Sequence, residues 1–245
     1  MSDDLARLPA SDLREKIASK QLSPVELMTA VLARAEKLQP VLNCFITLVP
    51  EQAMAAAKQA EDDVMQGKPL GLLHGIPYAA KDLVNTAGVR TTFGSLLHEN
   101  NVPKEDAVAI ARMKQAGAIL FGKTTTPEFG HKALTDAPLF GRTRNAWSAE
   151  RTSGGSSGGA AVAVAAGIGP MPAATATAAP PLEPPEVRSA LQALRVRPNS
   201  GASVSALWPN SGVVVLPNRM APAAFTRAAA TASSLGTLSS WARAA

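Results

Sequence analysis

The pattern of apolar and polar positions in the first part of the chain predicts helices alternating with short strands. Ser23 and Pro24 are a capping residue and a first helical residue, and apolar side chains follow them at helical spacing. This pattern predicts a helix with one buried face that ends at Pro40. Residues 41–49 then predict a strand, and residues 51–66 predict an alanine-rich helix.

A second helix and strand pattern brings two charged residues to a strand end. Residues 71–82 are apolar through most of their length and predict a buried strand that ends in Lys81 and Asp82. A helix is then predicted from a capping Asp106 to Gln115. This order is typical of an α/β fold in which helices cover a sheet.

The stretch from Gly117 to Thr124 matches the G-x-x-x-x-G-K-[ST] pattern of phosphate-binding loops letter for letter. A P-loop needs a strand before the first glycine and a helix after the Lys-Thr pair. Here a predicted helix precedes Gly117, a predicted strand at 118–121 fills the loop, and Pro127 follows. The context therefore argues against nucleotide binding at residues 117–124, an alternative that thermal protection by ATP would reveal.

Composition and charge exclude several classes of function. The chain has 245 residues, 46% of them apolar, with one cysteine and three histidines. A single cysteine allows neither an internal disulfide nor a thiolate zinc site, and the histidines show no metal-ligand spacing. The net charge is +5, but residues 1–170 hold 18 of the 24 Lys and Arg and 17 of the 19 Asp and Glu. No basic run with interleaved aromatic residues occurs, so we expect neither a metal nor a nucleic-acid partner.

The sequence favours a protein of the cytoplasm. Its first residues are charged and lack the apolar core of a signal peptide, and no apolar run approaches the ~20 residues needed to cross a bilayer. We therefore expect no membrane partner. The sequence carries no signal for an oligomeric state.

Residues 152–159 contain two serines between pairs of glycines, and small apolar residues follow them. Glycine allows tight backbone bends, so this stretch can present its hydroxyls at fixed positions. The small residues let a following helix pack closely with its free N–H groups toward the loop. The alternative is a flexible Gly/Ser linker.

Three motifs together resemble the amidase signature family over about residues 5–170. They are His74-Gly75-Ile76-Pro77 leading to Lys81-Asp82, then Gly122-Lys123-Thr124-Thr125-Thr126-Pro127-Glu128-Phe129, and Gly154-Gly155-Ser156-Ser157-Gly158-Gly159. The resemblance implies an α/β fold with a central mixed β-sheet covered by helices. It also implies hydrolysis of a carboxamide C–N bond in a small-molecule substrate, through a Ser–cis-Ser–Lys triad and an acyl-enzyme, without a cofactor.

The resemblance also implies roles for individual residues. Lys81 would be the base and Ser156 the bridging serine, with a cis peptide bond between Gly155 and Ser156. A lysine buried at a strand end has a lowered pKa and can accept a proton through a serine hydroxyl. The supporting loop would be formed by Gly154, Gly155, Ser157, Gly158 and Gly159.

The nucleophilic serine of the family has no counterpart here. Its position falls at Pro180, and residues 178–182 contain neither serine nor glycine. Proline offers no nucleophile and no N–H for an oxyanion hole. Residues 171–245 are rich in Ala, Pro, Arg and Ser and lack Lys, Asp and His. Our hypothesis is that they are a gene read in a shifted frame; the alternative is a genuine disordered tail.

The sequence therefore divides into two regions and leaves three functions open. Residues 1–170 are predicted to be the N-terminal portion of an amidase signature domain, so the sheet is expected to be incomplete, followed by an irregular C-terminal region at 171–245. The chain is predicted to be an amidase, a catalytically inactive remnant, or a glutamine-dependent amidotransferase subunit, which carries the same signature.

Overall fold

The computed structural model describes residues 5–174 and the strand at 214–215. The α-helices of this part are α1 (Ala10–Ala18), α2 (Pro24–Leu42), α3 (Pro50–Met65), α4 (Val108–Gln115) and α5 (Gly158–Ala165). The strands are β1 (Phe45–Leu48), β2 (Pro77–Lys81), β3 (Ile119–Thr124), β4 (Asp136–Ala137), β5 (Gly141–Arg142), β6 (Met171–Ala174) and β7 (Val214–Val215). Short 3₁₀ helices lie at Leu96–His98 and Glu128–Gly130.

The main sheet has the order β1-β3-β2-β6-β7. Strands β3, β2 and β6 are parallel, and β1 and β7 are antiparallel to their neighbours. The sheet is mixed and α5 packs on β2, β3 and β6, which confirms the predicted fold class. β2 lies between β3 and β6 with all five residues buried. β4 and β5 form a separate two-stranded sheet.

The start of α2 is as predicted, and its end is not. The hydroxyl oxygen of Ser23 accepts hydrogen bonds from the backbone N–H groups of Val25 at 3.0 Å and Glu26 at 3.2 Å. The prediction that the helix ends at Pro40 is wrong, because α2 continues to Leu42. A proline inside a helix lacks one backbone N–H donor and its ring crowds the carbonyl four residues earlier, and here only two helical residues follow it. The helix closes at Asn43, whose N–H donates to the carbonyl of residue 39 at 2.9 Å.

Two further predicted elements change in extent. The strand predicted over 41–49 is reduced to β1, because its first residues continue α2. The strand predicted over 71–82 is confirmed only at β2, because the preceding residues form turns. These turns hydrogen-bond to the end of α4, with the N–H of Leu73 donating to the carbonyl of Ala116 at 2.8 Å.

Asp106 does not cap α4. The helix begins after Ala107 and has no side-chain cap. The Asp106 carboxylate instead accepts from the N–H of Ala87 at 2.7 Å and pairs with Lys114 at 2.7 Å. A carboxylate with two other donors in reach is no longer available to the first turn of its own helix.

The core lies where α1, α2 and α3 meet the sheet. It includes Leu27 and Val31 of α2, Tyr78 of β2 and Phe121 of β3, each fully buried or nearly so. Burial raises the pKa of the Cys44 thiol, also in this core, to about 12. Within the described residues, no helix combines the length and apolar character that crossing a membrane requires.

Strand β6 begins just after the predicted domain boundary at residue 170 and pairs in parallel with β2. The boundary stays a prediction. Pro180 and most of residues 171–245 lie outside the described part of the chain.

Candidate active site

Lys81 and the two serines between the glycine pairs of residues 152–159, the Gly/Ser loop, meet at the end of β2. Lys81 is the last residue of this strand, and its side chain is buried, with 1% of its surface exposed. Its ammonium nitrogen donates to the hydroxyl oxygen of Ser156 at 3.0 Å and to that of Ser157 at 3.0 Å. The structure thus brings together the predicted base and the predicted bridging serine, which are 75 residues apart in sequence.

The surroundings of Lys81 make it a better base than an exposed lysine. Burial lowers its pKa to about 8, because the charged form loses hydration. A lysine with this pKa is neutral for an appreciable fraction of the time near neutral pH. Its neutral amine can then accept a proton from a hydroxyl at hydrogen-bond distance.

The Gly/Ser loop is fixed by hydrogen bonds on both sides, unlike a flexible linker. Gly154 and Gly155 both have φ of +65°, a backbone conformation that favours glycine. The N–H of Gly155 donates to the carbonyl of Ala133 at 2.9 Å, and the hydroxyl of Thr135 donates to the carbonyl of Gly155 at 2.6 Å. The segment at 133–135 therefore sets where the serines begin.

The two glycines that start α5 let the helix approach its neighbours closely. A Cβ atom at Gly159 would lie 2.5 Å from the nitrogen of Thr125 and 2.7 Å from the carbonyl oxygen of Cys44. A Cβ atom at Gly158 would lie 2.8 Å from Cβ of Thr135. No larger residue fits these positions unless the backbone moves, so the requirement for glycine here is one of space.

The expected cis peptide bond is absent. No cis bond occurs among the described residues, so Gly155 and Ser156 are joined by a trans bond and the prediction is wrong. In this trans loop the hydroxyls of Ser156 and Ser157 are equally close to Lys81. Ser157 was expected to have only a supporting role, whereas the structure places it in direct contact with the lysine.

Two threonines that sequence reasoning did not single out follow β3, and one of them, Thr126, holds the loop. The hydroxyl of Thr126 donates to the carbonyl of Ser156 at 3.2 Å. Thr125 donates its N–H to the carbonyl of Cys44 at 3.0 Å and shares a 2.6 Å hydrogen bond with the hydroxyl of Thr143. The signal in the sequence is the run of three threonines directly after the lysine of β3.

The second lysine of the motifs, Lys123, does not belong to a P-loop. It lies inside β3, and none of its surface is exposed. Its ammonium donates to the carbonyl of Val84 at 2.5 Å and to the hydroxyls of Thr86 at 3.0 Å and Thr91 at 2.8 Å. A P-loop lysine would instead project from a loop toward bound phosphate.

Asp82 is buried beside this second lysine. Its carboxylate accepts from the N–H of Thr92 at 2.9 Å and from the hydroxyl of Thr92 at 2.5 Å. Burial raises the pKa of Asp82, and the hydrogen bonds from Thr92 and the charge of Lys123 oppose that rise. No group of three or more His, Cys, Asp or Glu side chains suited to a metal ion occurs among the described residues.

Comparison with known proteins identifies the family. The family model described as Amidase matches residues 26–179. The chain belongs to the amidase signature family. Among the similar structures is a bacterial aryl acylamidase of this family, with a TM-score of 0.65 and 32% identity over 68% of this chain and 35% of that one.

Two relatives differ in their named activities. A glutamyl-tRNA(Gln) amidotransferase subunit of Carboxydothermus hydrogenoformans is 40% identical over 164 residues, which are 67% of this chain and 34% of that protein. An acylamidase of Rhodococcus erythropolis is 38% identical over 164 residues, again 67% of this chain and 34% of that protein. The chain thus spans about a third of the length of the amidase signature proteins that it matches.

Proposed function

We propose that Lys81 and Ser156 are the proton-relay part of a site that hydrolyses the C–N bond of a small-molecule carboxamide. The observation that carries this proposal is the 3.0 Å hydrogen bond between a lysine that is 1% exposed and the serine hydroxyl. The similarity to acylamidases and the family match support it. A cytoplasmic location is part of the same proposal.

The reaction needs a second serine as nucleophile. Neutral Lys81 accepts the proton of the Ser156 hydroxyl while Ser156 takes the proton of the nucleophilic serine. The nucleophilic oxygen attacks the amide carbonyl, the C–N bond of the resulting tetrahedral intermediate breaks, and the proton returns through Ser156 to the leaving nitrogen. Water then attacks the acyl-enzyme by the same relay, releasing the acid and restoring the serine.

We further propose that this chain lacks the nucleophile, because Pro180 occupies its position. The shifted-frame hypothesis explains the absence. The hypothesis places the change of frame at about residue 171 or later, since β6 pairs with β2 and the family match extends to residue 179. The hypothesis fails if neither alternative frame of the DNA downstream encodes a Gly/Ser-rich turn and a continuing amidase.

An amide hydrolysis assay tests both parts of this proposal. We expect the full chain as given to release no product above background from a panel of small aliphatic and aryl amides. A chain whose restored frame supplies a serine near position 180 should hydrolyse one or more of them, and Lys81→Ala or Ser156→Ala should abolish that activity. Hydrolysis by this chain would contradict the absence of a nucleophile, and hydrolysis by the restored chain at a rate that Lys81→Ala does not change would contradict the relay.

A second candidate is a component of a glutamine-dependent amidotransferase. It is favoured by the 40% identity to the amidotransferase subunit of Carboxydothermus hydrogenoformans. Such a protein would use the same relay to release ammonia from glutamine. Ammonia release from glutamine by the restored chain, without turnover of simple aliphatic amides, would favour this candidate over an acylamidase.

A further inference from the structure

Lys123 is a buried charge that the proposed reaction does not use. All three of its N–H donors are taken up by oxygen atoms of one segment, through the carbonyl of Val84 and the hydroxyls of Thr86 and Thr91. Burial lowers the pKa of Lys123 to about 8, the charges of Asp82 and Asp106 oppose this, and the charge of Lys114 adds to it. A fully bonded, fully buried ammonium is suited to holding a segment in place.

The segment that Lys123 holds begins at Lys81. The N–H of Val84 donates to the carbonyl of Lys81 at 2.9 Å and closes a turn at the end of β2. The carbonyl of Val84 is in turn the closest acceptor of Lys123. Two consecutive hydrogen bonds therefore join the Lys123 ammonium to the backbone of Lys81.

The sheet register places the two lysines on opposite faces. Lys81 pairs with Thr124, and Lys123 pairs with Ala80. Because successive residues of a strand point to opposite faces, Lys123 and Asp82 lie on the face away from the serines. Lys123 can therefore act on Lys81 only through the shared backbone turn or through its charge.

The same segment is fixed at its other end. The carbonyl of Asp82 accepts from the N–H of Phe93 at 3.1 Å, and the carboxylate of Asp82 binds Thr92. The hydroxyl of Ser95 then donates to the Glu128 carboxylate at 2.7 Å. Residues 82–95 are thus fixed at both ends, and Lys123 supplies the hydrogen bonds that hold the part between them.

We propose that Lys123 is a positioning residue, which fixes the turn at residues 81–84 and so holds the Lys81 amine against Ser156 and Ser157. This inference rests on the proposed role of Lys81 as the base. It gives a function to the lysine that matches a phosphate-binding pattern in the sequence but lies inside β3.

The pKa of Lys81 in the full chain tests the proposal without any need for turnover. The chain is produced with ¹³C at Cε of lysine, and the Lys81 signal, assigned with Lys81→Met, is followed by NMR against pH. Lys123→Met should raise the Lys81 pKa by about one unit, because a displaced amine regains hydration. Lys68→Met, which removes an exposed lysine paired with Asp63, should leave it unchanged.

Thr86→Val separates position from charge. It removes one hydrogen bond of Lys123 and keeps the ammonium, so a smaller rise in the Lys81 pKa, roughly half a unit, is expected. If Lys123→Met does not fold, Thr86→Val and Thr91→Val carry the test. A Lys81 pKa that is the same in the folded variants as in the wild type would overturn the proposal, even if amide exchange within residues 84–92 became faster.

The outcomes also separate this inference from the proposed function. An inactive restored chain in which Lys123→Met or Thr86→Val still shifts the Lys81 pKa would refute amide hydrolysis and leave the positioning intact. An active restored chain in which neither variant shifts the Lys81 pKa would support amide hydrolysis and refute the positioning role of Lys123.

Discussion

Lys81 ends β2 and Lys123 lies in the adjacent parallel strand β3. Both lysines are buried, and they differ in what surrounds their amines. Burial lowers the pKa of each to about 8. Lys123 donates to three oxygen atoms of one segment and lies near the carboxylate of Asp82. Lys81 donates to two serine hydroxyls. Among the described residues, no neighbouring charge contributes to the lowered pKa of Lys81.

This difference shows that a lowered pKa alone does not identify a base. The carbonyl of Val84 can only accept a hydrogen bond, and the hydroxyls of Thr86 and Thr91 beside Lys123 already donate to the carbonyls of Val84 and Val89. The serine hydroxyls beside Lys81 both accept and donate, so one of them can pass a proton to the neutral lysine. The serines of the Gly/Ser loop, more than the burial, distinguish Lys81 as the candidate for proton transfer.

The largest expected effect is on catalytic activity, which should fall much further when Lys81 is replaced than when Lys123 is replaced. In a restored chain, Lys81→Met should lower kcat/KM by about 10³-fold or more, because the relay loses its base. Lys123→Met should lower it by roughly tenfold, because the base is displaced but present. Steady-state kinetics on both variants measure this, and equal losses would remove the distinction between a base and a positioning residue.

Stability should show the opposite ranking. Lys123→Met leaves the carbonyl of Val84 and the hydroxyls of Thr86 and Thr91 without their buried donor, so the free energy of unfolding should fall by about 2 kcal/mol. Lys81→Met replaces a buried amine whose partners are serine hydroxyls, and its cost should be about 1 kcal/mol or less. Urea unfolding of the full-length variants provides the comparison, with Lys68→Met as control. A larger loss in Lys81→Met would contradict the account.

The pH dependence of stability should also depend on Lys81. The folded chain releases this proton near pH 8 and the unfolded chain near 10.5, so between these values the unfolded state binds more protons. The contribution of Lys81 to the free energy of unfolding should therefore rise with pH in this window, by at most about 3 kcal/mol. Lys81→Met should lack this contribution and retain those of Lys123 and Cys44. Identical pH profiles of unfolding in wild type and variant would show that the pKa of Lys81 is ordinary.

The sequence predicted the parts of the site that depend on local pattern and family motif. Lys81 at a strand end, Ser156 in a glycine loop and a helix directly after it are all present in the structure. The small residues of α5 predicted that this helix packs closely. They did not predict that Thr125 and Cys44 are the neighbours that require glycine at position 159. The residue types and their order were sufficient to predict these features.

The remaining features depend on contacts between distant segments. Thr135 holds the Gly/Ser loop, and Val84, Thr86 and Thr91 accept from Lys123. These residues come from segments that only the folded sheet brings close together. The end of α2 was missed because a proline near a helix end is tolerated when a later residue closes the last turn.

NMR titration of the lysine Cε signals in the full chain and in Ser156→Ala tests the proton relay most directly. Lys81 should titrate near pH 8. Loss of the Ser156 hydroxyl, an acceptor for the charged amine, should lower the Lys81 pKa by about half a unit and leave the Lys123 pKa unchanged. A Lys81 that titrates above about pH 10, or one that does not respond to Ser156→Ala, would contradict the claim that these two residues form a proton relay.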